Sequence, residues 1–373
     1  MCAEKGERRA TAAVSDGAAL MHSCDHDNDI DNRIMLAGMV DVLVIGGGIA
    51  GVSIAYELAA HVSVLLVEAE PELARHTTGR SAAIYAPSYG GPVIRELTKA
   101  SEPLFGDGIL TPHPTLWLAV DDDGVDHLRE LPAEAITPEK AVELCPALRP
   151  PLAVAIDRSA QDIDVMALHA RYVRGIKERG GEIRTNTRIA DLRRDGDGWV
   201  ADGIRAQTVV NAAGAWVDQL AELAGVPTIG LQPMRRTIAL AHATVDPAWP
   251  LVADAADRFY FRPESGHLLI SPADETPSEP CDARPDELEV AIALERVNAV
   301  TTLGLRSVHT AWAGLRSFVA DREPVVGAWP DHPGFVFFAG QGGYGIQMAP
   351  ALARTGAEVV LGSNKALSIM SPR

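Results

Sequence analysis

The chain has 373 residues, 50 of them acidic and 33 basic, for a net charge of −17. That balance opposes nucleic-acid binding and leaves no polybasic handle for an anionic membrane surface, and no apolar run reaches the ~20 residues of a transmembrane segment. Hydrophobic residues make up 47%, enough to fill two cores in a chain longer than the usual single-core limit.

Residues 1–38 are polar, acidic between Asp25 and Asp31, and lack both helical periodicity and the apolar core of a signal peptide. They are expected to form a disordered tail. His22, Cys24 and His26 in that tail have no further ligands beside them, so no metal site is expected. Cys2, Cys24, Cys145 and Cys281 are scattered without CxxC spacing, which suits free thiols in a reducing compartment and makes a cytoplasmic location the default expectation.

The folded part opens with VDVLVIGGGIAGVSIAYELAAHVSVLLVE, residues 40–68. The apolar run Val42–Ile45 enters Gly46, Gly48 and Gly51 in GxGxxG spacing. Ile49–Ala60 continues with apolar residues at helical intervals, and a second apolar run, Val62–Val67, ends in Glu68. Strand, tight turn, helix and strand make a βαβ dinucleotide unit. Gly46 permits the sharp turn, Gly48 lets the backbone approach a pyrophosphate, and Gly51 lets the helix pack closely on the strand. The helix start, at Ile49 and Ala50, offers unpaired N–H groups and about half a positive charge to phosphates. Glu68 stands where an acid binds a ribose hydroxyl and repels a 2′-phosphate. The ligand at this point is FAD or NAD.

His76–Ser81 form a polar, glycine-containing turn followed by Ala82 and Ala83, placed where a bound cofactor would lie along the chain; this favours FAD. From Arg95 to Pro151 the βαβ rhythm is lost. A helix-like segment, Val93–Leu104, precedes a strand candidate, Thr115–Val120. Asp121–Asp126 reads as a solvated acidic turn, because the glycine and terminal glutamate of a calcium loop are missing. AVELCPAL, residues 141–148, and the downstream SAQDIDVMALHARYVRGIKERGGEIR suggest a return to the nucleotide domain. Asp164 can cap a helix from Val165 to Arg179, closed by Gly180 and Gly181.

Glu182–Ile189, Ala190–Asp195 and Trp199–Arg205 read as strands of a meander. An apolar strand then meets Ala212, Ala213 and Gly214, small residues that let strand and helix approach a cofactor closely. Beyond Gly225 strands alternate with turn residues, as in an antiparallel substrate-binding sheet, and Arg236 and Tyr260 fall on strand-like segments where packing alone explains a charge poorly. The last element, FVFFAG at residues 335–340, leads through Gly342, Gly343 and Gly345 into a helix.

HTTGRSAA with Tyr85 and Tyr89, AAGAW at its distance from GxGxxG, and the C-terminal glycine-rich turn occur in the order found in the FAD-dependent D-amino acid oxidase and dehydrogenase superfamily. The chain resembles that superfamily from Val40 to about Val360, and HTTGRSAA is most similar to bacterial D-arginine dehydrogenases. The resemblance implies an α/β fold of the two-dinucleotide-fold flavoprotein type. Residues 39–91, 150–225 and 310–373 would form a Rossmann-like FAD-binding domain, interleaved with an antiparallel-sheet substrate domain from residues 92–149 and 226–309. Thr78, Arg80, Ser81, Ala82, Ala213, Gly214, Gly314, Gly342, Gly343, Tyr344, Gly345 and Ile346 would join Gly46, Gly48, Ile49, Ala50, Gly51 and Glu68 around FAD. The last turn would aim helix-start N–H groups at the part of the flavin where negative charge develops.

By the same resemblance, Arg236 and Arg316 hold a substrate α-carboxylate, and Tyr89 and Tyr260 help close the pocket. Arg235 is expected in a surface salt bridge. The implied reaction is oxidative deamination of a D-amino acid by hydride transfer from Cα to flavin N5, giving a 2-oxo acid and ammonia. In D-arginine dehydrogenases an acid facing the guanidinium matches Thr115 here, and a histidine matches Ile84. With Trp117 nearby, neutral or apolar side chains are therefore expected. The partners implied are a small amino acid and an electron acceptor, whether a quinone, another carrier or oxygen. D-Arginine, an N-methyl amino acid, glycine, proline and a 2-hydroxy acid remain alternative substrates. A flavin-binding module without catalysis and a Rossmann-type NAD enzyme are the alternatives of class.

Overall fold

Gly46 has φ +117°, and a Cβ there would overlap the Ala212 carbonyl, so the turn between the strand Val40–Ile45 and the helix Ile49–Leu58 requires glycine. The computed structural model that shows this turn describes residues 38–362 and 370–372; the expected tail, with His22, Cys24 and His26, lies outside the described residues apart from Gly38.

Val40–Ile45 pairs in parallel with Val64–Val67 on one side and with Ile204–Asn211 on the other, at the centre of an eight-stranded sheet. Phe335–Ala339 continues the parallel set beside Ile204–Asn211, and Val325–Gly327 closes that edge. Leu192–Asp195 and Gly198–Ala201 form the expected antiparallel meander with Ile204–Asn211. Glu182–Arg184, read as part of that meander, instead pairs in parallel with Val64–Val67. The strands carry continuous apolar runs because both faces are covered. Val44 and Leu66 pack against Ile54, Leu58, Tyr172 and Leu352 on one face, and Leu43 and Leu65 against Trp199, Phe335 and Phe337 on the other. Helix Val165–Glu178 on the first face begins where the Asp164 side chain accepts from the Ala167 N–H at 2.8 Å.

The second sheet has nine strands and is built around the long strand Gln232–Ala241. Val308–Phe318 pairs antiparallel along one side of it, and His267–Ser271, Tyr260–Glu264, Leu251–Asp254, Thr115–Ala119, Ala153–Asp157 and Glu134–Ile136 follow in order on the other. Ala153–Asp157 lies in a segment expected to bind the nucleotide, and the expected boundary at 310 falls inside Val308–Phe318, so the expected boundaries at 150 and 310 cut across this sheet. The AVELCPAL stretch likewise sends Ala141, Cys145, Ala147 and Leu148 into the core under this sheet. Short apolar strands look alike in either sheet, and their sequence does not name the strand they pair with. Both sheets lie in one compact unit, Met39–Arg373.

Two helices replace elements read otherwise. Asp121–Asp126 is no open turn: Asp121 accepts from the Gly124 N–H at 2.9 Å and caps the helix Asp122–Glu130, whose first turn holds Asp122 and Asp123 where the helix dipole favours acids. Glu287–Val300, within the region expected to be strands, is a helix capped by Asp286 that packs Ala293 and Val297 on the second sheet. Among the described residues, no helix is long and apolar enough to cross a membrane.

Candidate active site

A cavity of about 530 Å³ runs from the carboxyl ends of the parallel strands to one face of the second sheet, the crevice position expected for ligands of open α/β sheets. Gly46, Gly48, Ile49, Ala50 and Glu68 line its nucleotide end. The Glu68 carboxylate accepts from the Gly47 N–H at 2.6 Å and from the Glu70 N–H at 2.9 Å, and the Thr78 hydroxyl accepts the helix-start N–H of Ile49 at 2.9 Å. Buried His169 places Nε2 3.0 Å from the Gly47 carbonyl. Burial lowers its pKa, and the bond to that carbonyl only partly offsets the effect. A neutral ring with its proton on Nε2 therefore holds the glycine loop from behind.

Ser81, Ala82, Ala213, Gly214, Gly314, Gly342, Gly343, Gly345 and Ile346 also line the cavity. Gly51 does not, and serves as a packing glycine, since a Cβ there would overlap the Gly46 carbonyl. Two further expectations change. Arg80 borders the cavity, but its guanidinium is committed to the protein, donating to the Ala283 and Ala313 carbonyls at 3.0 Å each and pairing with Asp282. Tyr344 stands behind the wall and packs its ring 5.0 Å from that of Tyr89. Their sequence neighbours do line the space, but the side chains take partners that local spacing does not reveal.

The residues present fit FAD. Gln341 Nε2, Gln347 Nε2 and Ser317 Oγ are buried cavity-wall atoms without a hydrogen-bond partner. Unsatisfied buried donors of this kind call for a ligand or water. Beside them the helix Gly345–Val360 begins, its first N–H groups at the cavity.

At the other end, strand register brings the two arginines together. Arg236 pairs with Gly314 and Met234 with Arg316 across antiparallel strands, so both arginines lie on one face as diagonal neighbours. Arg235 points to the opposite face and pairs with Asp286 at 3.2 Å. Arg236 and Arg316 are 6% and 7% exposed, and both line the cavity with Tyr89 and Tyr260.

A closed ring of polar contacts joins them. Arg316 donates to the Tyr89 hydroxyl at 3.1 Å, Tyr89 donates to Asp257 at 3.2 Å, and Asp257 lies 3.5 Å from Arg236. Arg236 and Arg316 then meet again at Glu275, at 3.4 and 2.9 Å, where Arg322 joins at 2.8 Å. Arg236 also donates to the Asp274 carbonyl at 2.9 Å. Burial and, more weakly, Asp257 raise the Tyr89 pKa despite the opposing arginines, so the phenol keeps its proton for donation. Burial alone would raise the Glu275 pKa, but Arg322, Arg316 and Arg236 hold it below the usual carboxylate range.

Sequence reasoning missed Asp257, Glu275, Arg322 and His169. Asp257 and Glu275 stand at the two ends of a stretch expected to alternate strands and turns, and nothing in the spacing sets either apart from a solvated turn residue. Ile84, Thr115, Trp117, Ile238, Leu251 and Ala253 line the remaining wall. Thr115 is 1% exposed and its hydroxyl has no partner.

Similarity to known proteins agrees with this construction. A match to FAD-dependent oxidoreductase domain-containing protein 1 of Bos taurus is 35% identical over 181 residues, covering 42% of this chain and 36% of that protein. The chain thus spans little more than a third of that relative. Glycine oxidase of Pseudomonas putida is 25% identical over 358 residues, 86% of this chain and 96% of that enzyme. The crystal structure of L-proline dehydrogenase from P. horikoshii superposes with a TM-score of 0.78 at 22% identity, covering 90% of this chain and 97% of that one. These likenesses do not single out the D-arginine dehydrogenases. The DAO family of FAD-dependent oxidoreductases matches residues 41–359, and with a cavity built for the dinucleotide at one end and an arginine pair at the other, the chain belongs to that family and uses FAD.

Proposed function

We propose that the chain oxidatively deaminates a free α-amino acid, with preference for D-amino acids carrying neutral or apolar side chains. The observation that carries this reading is the convergence of Arg236 and Arg316 with the Tyr89 hydroxyl on the cavity wall. Two guanidinium groups and a phenol can bind an α-carboxylate by charge-assisted hydrogen bonds, each contributing about 1.5–3 kcal/mol. Bound FAD supplies the two-electron acceptor. The carboxylate contacts fix the substrate carbon, the apolar wall of Ile84, Trp117, Leu251 and Ala253 excludes water, and Tyr260 narrows the pocket. A substrate entering with a neutral amine needs no strong base. Loss of two electrons and two protons from the amine leaves an imine, and water converts it to the 2-oxo acid and ammonia.

The preference for D-amino acids rests on the resemblance of HTTGRSAA to the D-arginine dehydrogenases. The side-chain preference rests on Thr115 and Ile84, which offer no charge to a guanidinium. Glycine or a secondary amine such as proline is the second reading, favoured by the likeness to glycine oxidase over 86% of this chain. Arg316→Ala tests the carboxylate assignment: turnover should be abolished while FAD stays bound. Retained activity overturns the assignment.

A further inference from the structure

Asp257 is an acid on the cavity wall beside Arg236 and Arg316, at the end away from Glu68 and the glycine loop. It occupies a turn with φ +53°, a conformation that aspartate and asparagine adopt more readily than most residues. Its carboxylate accepts from Tyr89 at 3.2 Å and lies 3.5 Å from Arg236. The Asp257 side chain is 42% exposed, whereas that of Arg236 is only 8% exposed. Arg236 is thus fixed, and Asp257 is the freer member of the pair. Glu275, the other carboxylate on these arginines, is not on the cavity wall.

A carboxylate ligand that takes Arg236, Arg316 and Tyr89 competes with Asp257 for the Arg236 and Tyr89 donors. An α-amino acid brings compensation, because its amino group is attached to the carbon that carries the carboxylate and so arrives beside the displaced acid. A 2-hydroxy acid or a plain carboxylate brings no amino group to donate to it. Resting on the amino-acid reading above, we propose that Asp257 is the residue that selects the substrate's α-amino group, exchanging its contact with Arg236 for one with the substrate nitrogen. The acid then acts twice: it weakens binding of anions without an amine, and it strengthens binding of those with one.

Three ligands of nearly one shape, none with both an α-amine and an α-hydrogen, separate these effects: 2-aminoisobutyrate, 2-hydroxyisobutyrate and isobutyrate. Their Kd values follow from perturbation of the flavin spectrum in the FAD-loaded enzyme and in Asp257→Asn, a substitution that suits the left-handed turn. The variant is expected to bind 2-aminoisobutyrate about 10- to 100-fold more weakly, the loss of one charge-assisted bond, and to bind isobutyrate and 2-hydroxyisobutyrate more tightly. A structural role would shift all three in the same direction; that result, or unchanged 2-aminoisobutyrate binding, overturns the proposal. Reduction of the unsubstituted enzyme's flavin by amino acids judges the underlying reading separately, so an enzyme reduced by amino acids but showing uniform shifts refutes the Asp257 role alone.

Discussion

Gly343 lies so close against the Arg316 guanidinium that a Cβ on Gly343 would overlap its Nε, Cζ and Nη2 atoms. The glycine is therefore a condition for the position of the arginine, and the turn expected from sequence to serve the flavin also seats the residue proposed to hold the substrate. Gly343→Ala should push Arg316 off its Tyr89 and Glu275 partners. The expected result is a fall in kcat/KM of about 10- to 100-fold, the worth of one charge-assisted bond, with FAD content unchanged. Steady-state kinetics beside a flavin absorbance spectrum checks this; unchanged kcat/KM contradicts it.

Glu275 should hold the arginine pair down to acid pH. Its folded pKa is depressed, so its contribution is complete above the unfolded value of about 4.3 and is lost as pH falls through the lower folded value. The pair should thus stay in place at about pH 5. Glu275→Gln removes the charge at every pH, and KM should rise several-fold between about pH 6 and about pH 9 with little pH dependence of the ratio to the parent enzyme. A ratio that grows only at acid pH would oppose this assignment.

His169 predicts a loss of stability in the same direction, toward acid, but beginning closer to neutral pH. Its folded pKa is lowered by burial, so the unfolded chain binds the extra proton. Stability should fall as pH drops below about 6.5 and level off below the folded value. Thermal unfolding between about pH 8 and about pH 5 should show a larger loss of Tm in the parent chain than in His169→Gln. Parallel curves would exclude His169 as the cause.

Thr115 should control the response to a cationic substrate. In the parent enzyme kcat/KM for D-leucine or D-methionine should exceed that for D-arginine, and Thr115→Glu should move the ratio toward D-arginine, because the new carboxylate would face the guanidinium from a buried wall. A D-arginine preference in the parent enzyme contradicts the apolar-pocket argument.

The nucleotide end was legible because its demands are local. The turn at Gly46 and the acid at Glu68 belong to one continuous βαβ segment, and the residue types follow from sterics and phosphate charge. The meeting of Arg236 and Arg316 was legible only through resemblance, since it depends on the register of two strands that bring together residues 80 positions apart in the chain. Asp257, Glu275 and Arg322 were not legible at all. An acid in a polar turn reads the same whether it faces water or an arginine across the fold. Arg80 shows the converse: its segment was recognised, yet its guanidinium went to the Ala283 and Ala313 carbonyls, more than two hundred residues away.

The most direct measurement is anaerobic mixing of the FAD-loaded protein with D- and L-amino acids, glycine, sarcosine, proline and 2-hydroxy acids while the flavin absorbance is followed. Bleaching by neutral D-amino acids, absent in Arg316→Ala, is the expected result. A flavin that no amino acid bleaches, or one bleached only by 2-hydroxy acids, would contradict an amino acid as the substrate.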